Sequence, residues 1–170
     1  RFYGGDEAGT RYSKIKDIDR TNVSSLKRAW TYHTGELELG LPTAPFQASF
    51  SCTPLVVNGV MYVSTPSSRV IALDAETGKE LWKYDPQADK QPREFNSHRG
   101  VAYWEGPTVD RRGKDRRILF GTVDGRLIAI NAATGKPLSE FGDGGAVNLR
   151  ANGADKFKHD PSWGARVSSA

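Results

Sequence analysis

A chain of 170 residues with 24 Lys and Arg against 20 Asp and Glu is long enough for one ordinary domain, and its net charge of +4 is spread with both signs interleaved. Its single cysteine, Cys52, excludes an internal disulfide and any multi-cysteine metal site, and His33, His98 and His159 show no metal-ligand spacing. No run approaches the eighteen or so apolar residues of a membrane-spanning helix, and no signal peptide precedes Arg1, so a mature or trimmed soluble piece is expected.

Arg1 to Ser13 is glycine-rich and reads as a loop. Lys14 to Leu26 carries Ile15, Ile18 and Leu26 among polar residues, with Thr21 or Asn22 able to cap a single helical turn. In Lys27 to Gly35, Trp30 and Tyr32 have the spacing of Trp82 and Tyr84 further on, so this stretch reads as the last strand of an incomplete repeat. A loop follows around Pro42 and Pro45. Thr53 to Thr65, TPLVVNGVMYVST, then gives two alternating apolar runs about Asn58-Gly59, a strong short hairpin signal. Cys52, beside a strand start, reads as a small buried side chain rather than a reactive thiol.

The stretch Arg69 to Tyr84, RVIALDAETGKELWKY, is stated twice. Arg126 to Phe141 reads RLIAINAATGKPLSEF, 57 positions later, with Arg, Ile, Ala, Ala, Thr, Gly, Lys and Leu in register. Each copy is an apolar run, a turn closed by Thr-Gly and a second run, which is a hairpin signature. The first unit is thus four consecutive antiparallel strands. The second has a strand at Val101 to Trp104, a long polar turn at Pro107 to Arg117, a strand at Ile118 to Thr122, a tight turn at Asp124-Gly125 and a closing hairpin at Arg126 to Phe141. Arg111, Arg112, Lys114, Arg116 and Arg117 fall in that polar turn and read as a solvated loop.

Gly142 to Pro161 is loop-like, and Trp163 to Ala170 starts as another inner strand. The fold class expected is all-β. Two units of about 40 to 45 residues have the proportions of four-stranded β-propeller blades, a sandwich being the alternative. The organisation expected is residues 1–49 as a loop, short helix and outer strand of an incomplete blade, 50–86 as a complete blade, 97–142 as a second and 143–170 as a loop and the start of a further blade. Two blades leave open edges, so a piece of a longer chain, or an associating one, is expected.

These residues resemble the quinoprotein dehydrogenases, which carry pyrroloquinoline quinone in an eight-bladed propeller. The resemblance rests on Thr53 to Pro86, on His98 to Gly106 (HRGVAYWEG) and on Gly121 to Pro137, and covers most of Tyr3 to Ala170. The family's tryptophan-docking repeat is whole at Ala72 to Trp82, while Asn131 and Ser139 replace its aspartate and tryptophan in the second copy. The stretch from Gly125 to Asn152 and the lack of an adjacent cysteine pair resemble the glucose dehydrogenase branch more than the methanol branch.

That resemblance implies a periplasmic enzyme, soluble or held at the inner membrane by parts outside this chain. It oxidises a sugar or alcohol by hydride transfer to the quinone and passes electrons to a quinone or cytochrome. The cofactor bears three carboxylates, and the Arg-Gly motif places Arg99 on one of them. An acidic family position two residues before Thr-Pro is Ser51 here, which brings no charge. Ser168 falls where the family has a hydroxyl touching the quinone. The calcium or magnesium ligands and the aspartate base would come from blades beyond Ala170, so the chain alone is expected to be inactive. The alternative is a non-enzymatic propeller that uses the same repeat as a scaffold for protein contacts. Nucleic-acid binding through Arg111 to Arg117 has no interleaved aromatics to support it.

Overall fold

A computed structural model of the chain describes residues 8–10, 12, 15–36, 48–88, 96–97, 99–108 and 113–151. The expected inner strand at Trp163 to Ala170, including Ser168, lies outside the described residues, as do Arg111 and Arg112.

The first sheet is a meander of β2 (Leu55–Val57), β3 (Val60–Ser64), β4 (Val70–Asp74) and β5 (Glu80–Tyr84), antiparallel throughout, in that order. Val57 pairs with Val60 across a two-residue turn in which Asn58 and Gly59 have φ of 51° and 77°, the left-handed angles of a type I′ hairpin. In the turn between β4 and β5, the Asp74 carboxylate accepts from the Thr77 amide at 2.8 Å and the Thr77 hydroxyl at 2.7 Å. These bonds lower the Asp74 pKa. In the second repeat Asn131 keeps the acceptor, taking the amides of Ala133 at 2.9 Å and Thr134 at 3.1 Å. The turn needs an oxygen at this position rather than a charge.

The second sheet runs β7 (Ala102–Pro107), β8 (Lys114–Gly121), β9 (Arg126–Asn131) and β10 (Ala146–Asn148), again antiparallel. Two expectations change here. The basic segment is not all turn: Lys114, Arg116 and Arg117 lie on β8, where Lys114 and Arg116 share Glu105 across the ladder and Arg117 pairs with Asp115 on its own strand. The fourth strand comes from beyond residue 142. Ile130 bridges Pro137 and the Leu138 amide reaches the Ala129 carbonyl at 3.0 Å, but the chain then leaves the ladder and returns where the Ala129 amide reaches the Gly145 carbonyl at 3.0 Å. Pro137 has no amide hydrogen to continue the pairing. Gly142, Gly144 and Gly145, at positive φ, turn the excursion back onto β9.

Before the first sheet, a 3₁₀ turn at Val23–Ser25 is the short helix expected. Asn22 does not cap it with its side chain, because its amide oxygen takes the Asp19 amide at 2.9 Å instead. The segment around Trp30 forms no ladder strand among the described residues, although it packs like one.

Strand alternation puts Tyr62, Val70 and Ala72 on one face of the first sheet, against Ile118, Phe120, Ile128 and Ile130 of the second. The four second-sheet residues are at most 1% exposed, and each contributes about 1.5–3 kcal/mol by burial. Tyr84 meets Phe120 edge-on at 6.0 Å. Two further contacts fasten the faces. At one end the Trp82 indole lies over Gly135 and donates to the Ala132 carbonyl at 3.1 Å. At the other, Arg126 donates to the Pro86 carbonyl at 2.9 Å. The same pair recurs one unit earlier: Trp30 lies over Gly78 and donates to the Ala75 carbonyl at 3.3 Å, and Arg69 donates to the Thr34 carbonyl at 3.0 Å.

Candidate functional site

Two residue pairs run parallel just ahead of the innermost strands: β1 (Ala48–Ser49) pairs with β6 (Asn96–Ser97). The Thr53 amide then donates to the Arg99 carbonyl at 2.8 Å. The stretches leading into β2 and β7 are therefore held side by side, and they bring two of the sequence candidates, Ser51 and Arg99, to neighbouring exposed positions at one end of the sheets. Ser168, the third, lies outside the described residues.

Gly100 explains why the motif is Arg-Gly. It is buried with φ of 150°, and a Cβ there would stand 3.1 Å from the Thr53 carbonyl oxygen. Glycine lets the two backbones close up, while Arg99 ahead of it stays at the surface. Among the described residues Arg99 makes no ion pair, whereas Arg69, Arg116, Arg117 and Arg126 are each held by a carboxylate. An exposed guanidinium suits a ligand carboxylate, which it can take with two parallel hydrogen bonds.

Cys52 contributes something its lone occurrence did not signal. Its sulfur accepts the Ser64 amide at 3.3 Å, tying the Ser51 stretch to the end of β3. It is part-buried rather than fully buried as expected.

A second charged cluster occupies the same end of the first sheet. Glu36 holds Arg69 as an ion pair and accepts from the Ser67 hydroxyl at 2.9 Å, and the side chains of Arg69 and Glu36 are only 8% and 11% exposed. Nothing in the sequence marks this pair, because Glu36 lies outside the repeat. At the opposite end, Glu105 accepts from Lys114 at 2.8 Å, Arg116 at 2.9 Å and Tyr103 at 2.9 Å. These hydrogen bonds hold its carboxyl down to about 2. Among the described residues no three His, Cys, Asp or Glu side chains gather where a metal ion could sit.

Known proteins match most of the chain. The profile of the glucose/ethanol/alcohol dehydrogenase β-propeller domain family, PQQ, matches residues 1–169. A quinoprotein glucose dehydrogenase of Escherichia coli (strain K12) is 38% identical over 161 residues, covering 90% of this chain and 20% of the relative. The dehydrogenase subunit of a quinone-dependent alcohol dehydrogenase of Gluconobacter oxydans (strain 621H) is 44% identical over 139 residues, 79% of this chain and 16% of that one. Among solved structures, the quinohemoprotein alcohol dehydrogenase of Comamonas testosteroni superposes with a TM-score of 0.61 at 34% identity, over 86% of this chain and 19% of its own. The chain spans about a fifth of the length of the curated relatives it matches. Its two four-stranded sheets are blades of a partial propeller, and the chain belongs to the PQQ-dependent quinoprotein dehydrogenase family.

Proposed function

We propose that this chain supplies two blades and part of the quinone site of a dehydrogenase that oxidises a sugar or alcohol and passes the electrons to a quinone or cytochrome. The reading rests on Arg99, an exposed cation with no ion pair among the described residues, at the end where the innermost strands begin. A group bearing several carboxylates fits this donor set. Its Arg99 contact would be a charge-assisted pair, and Ser51 would add one hydrogen bond without charge.

When bound, the quinone supplies the hydride-accepting chemistry that converts an alcohol carbon to a carbonyl. The chain's own residues bind and orient. Arg99 fixes one carboxylate, Gly100 sets how closely the β7 stretch approaches Thr53, and Cys52 holds the Ser51 stretch against β3. Ser168 is proposed as a further hydroxyl contact. Calcium or magnesium, with its ligands, and the catalytic base are proposed to belong to blades outside these residues, and the complete protein to work in the periplasm. Relatives named for both glucose and alcohol match at comparable identity, so the substrate class is kept at sugar or alcohol.

The test is reconstitution of the complete protein with the quinone and calcium, followed by dye reduction with a panel of sugars and alcohols. Reduction by at least one substrate, dependent on added quinone, is expected. Dye reduction that proceeds equally without quinone, or none with any substrate, would overturn the reading.

A further inference from the structure

At the end of the sheets away from Arg99, the seam between the blades opens into a groove that none of the site residues uses. Its inner part is a pocket of about 150 Å³ walled by Tyr62, Trp82, Tyr103 and Val60. A cavity of that size is about what one benzene ring fills. The heteroatoms of two of its rings are engaged: the Tyr62 hydroxyl at 3.2 Å and the Trp82 indole at 3.1 Å both donate to the Ala132 carbonyl. The walls therefore present mainly ring faces and aliphatic carbon. Tyr62 lies 5.9 Å from Trp82 and 6.5 Å from Tyr103, centroid to centroid, so three aromatics frame one slot.

The outer part is a cleft of about 670 Å³ that shares Val57, Asn58, Tyr103 and Arg116 with the inner pocket. Lys114 and Arg116 stand at this mouth with side chains 65% and 48% exposed. Glu105 carries one negative charge against their two positive ones. Arg116 spends only its Nε on Glu105, and among the described residues its two terminal nitrogens make no hydrogen bond. A guanidinium edge with N–H groups to spare, directly outside a ring-sized apolar slot, suits a carboxylate joined to a small aromatic ring.

The geometry points to a second ligand site here, for an aryl carboxylate, with the ring in the inner pocket and the carboxylate on Arg116. The site is separate from the proposed quinone site, since β2 and β7 run from Ser51 and Arg99 at one end to Val57 and Glu105 at the other. It is built entirely by two neighbouring blades.

The probe is 4-fluorobenzoate, titrated into the complete protein without quinone and followed by fluorine NMR line broadening. Fluoroacetate, which lacks the ring, and 4-fluorobenzyl alcohol, which lacks the charge, serve as controls. Saturable binding of 4-fluorobenzoate is expected, about tenfold weaker in Arg116→Gln, the worth of a charged hydrogen bond. Arg99→Ala should leave it unchanged. Ala133→Phe should abolish it with the guanidinium intact, because Ala133 is an exposed turn residue lining the slot. Binding that is equal in wild type and both groove variants, binding that is lost in Arg99→Ala, or no saturable binding would each overturn the proposal.

Discussion

The two blade contacts use the same parts with the charge moved to the other side. In the first, Arg69 reaches back to the Thr34 carbonyl and its acid, Glu36, comes from the preceding segment, while Ser67 on its own turn offers a hydroxyl. In the second, Arg126 reaches back to the Pro86 carbonyl, but its acid is Asp124 on its own turn, at the place Ser67 holds in the first repeat. Ala88 stands where Glu36 would be and is buried. The contact therefore requires an arginine aimed at a neighbour's carbonyl and one carboxylate to neutralise it, and either blade can provide the carboxylate. The difference has an energetic consequence. In the first contact the ion pair itself crosses between segments, whereas in the second only a hydrogen bond to a neutral carbonyl does so.

The tryptophans differ as well. Trp82 packs against the apolar cluster between the sheets and touches Tyr62, whereas Trp30 docks at the outer face of the first sheet without joining that cluster. Trp82→Ala is expected to cost the complete protein about 3 kcal/mol, the low end for large-to-small aromatic changes because Trp82 is only part-buried, and Trp30→Ala distinctly less. Urea unfolding monitored for each variant would check this, and equal losses would erase the distinction.

The acids give the next effect. Glu36→Gln leaves Arg69 buried without its counter-charge and should cost about 3 kcal/mol. Asp124→Asn should cost about 1 kcal/mol or less, because Arg126 is 33% exposed and water can take over. The second loss should also shrink with added salt, which screens the exposed pair more than the buried one. Moving the acid is the sharper trial: Ser67→Asp in the Glu36→Gln background copies the second contact into the first and should recover at least part of the lost stability. No recovery would mean that the side from which the charge comes matters after all.

The smallest effect is alkaline. Burial, reinforced by the Glu80 carboxylate it bonds, pushes the Tyr32 phenol up to about 12. A raised folded value means that the contribution is complete below about pH 10, the ordinary phenol value, and is lost as pH rises through 12. Tyr84, the counterpart in the second contact, is raised by burial but has Pro137 where the first contact has Glu80. Tyr32→Phe should therefore flatten the alkaline arm of the stability profile more than Tyr84→Phe does.

Much of this architecture is written in the chain. Asn58-Gly59 and the repeated Ala-x-Thr-Gly turns specify local backbone shapes that few other residues adopt, so the first meander and the first three strands of the second could be read directly. Arg99 was singled out through its motif, and the structure leaves it exposed. The parallel β1–β6 pairing was not legible, since two-residue strands carry no periodicity. Nor was the broken outer strand of the second sheet: Leu138 and Ala146 belong to one ladder edge, but a glycine-rich excursion separates them in sequence. Cys52 and Glu36 act through partners distant in the chain, and no local pattern reveals such partners.

We propose that the end of the sheets where β2 and β7 begin receives a polycarboxylate quinone on Arg99. Titration of pyrroloquinoline quinone into the complete protein, by quenching of its tryptophan fluorescence, tests it without requiring turnover. Saturable binding is expected that falls at least about tenfold in Arg99→Ala, while the unfolding midpoint of the free protein stays within error. Binding of equal strength in wild type and Arg99→Ala would contradict it.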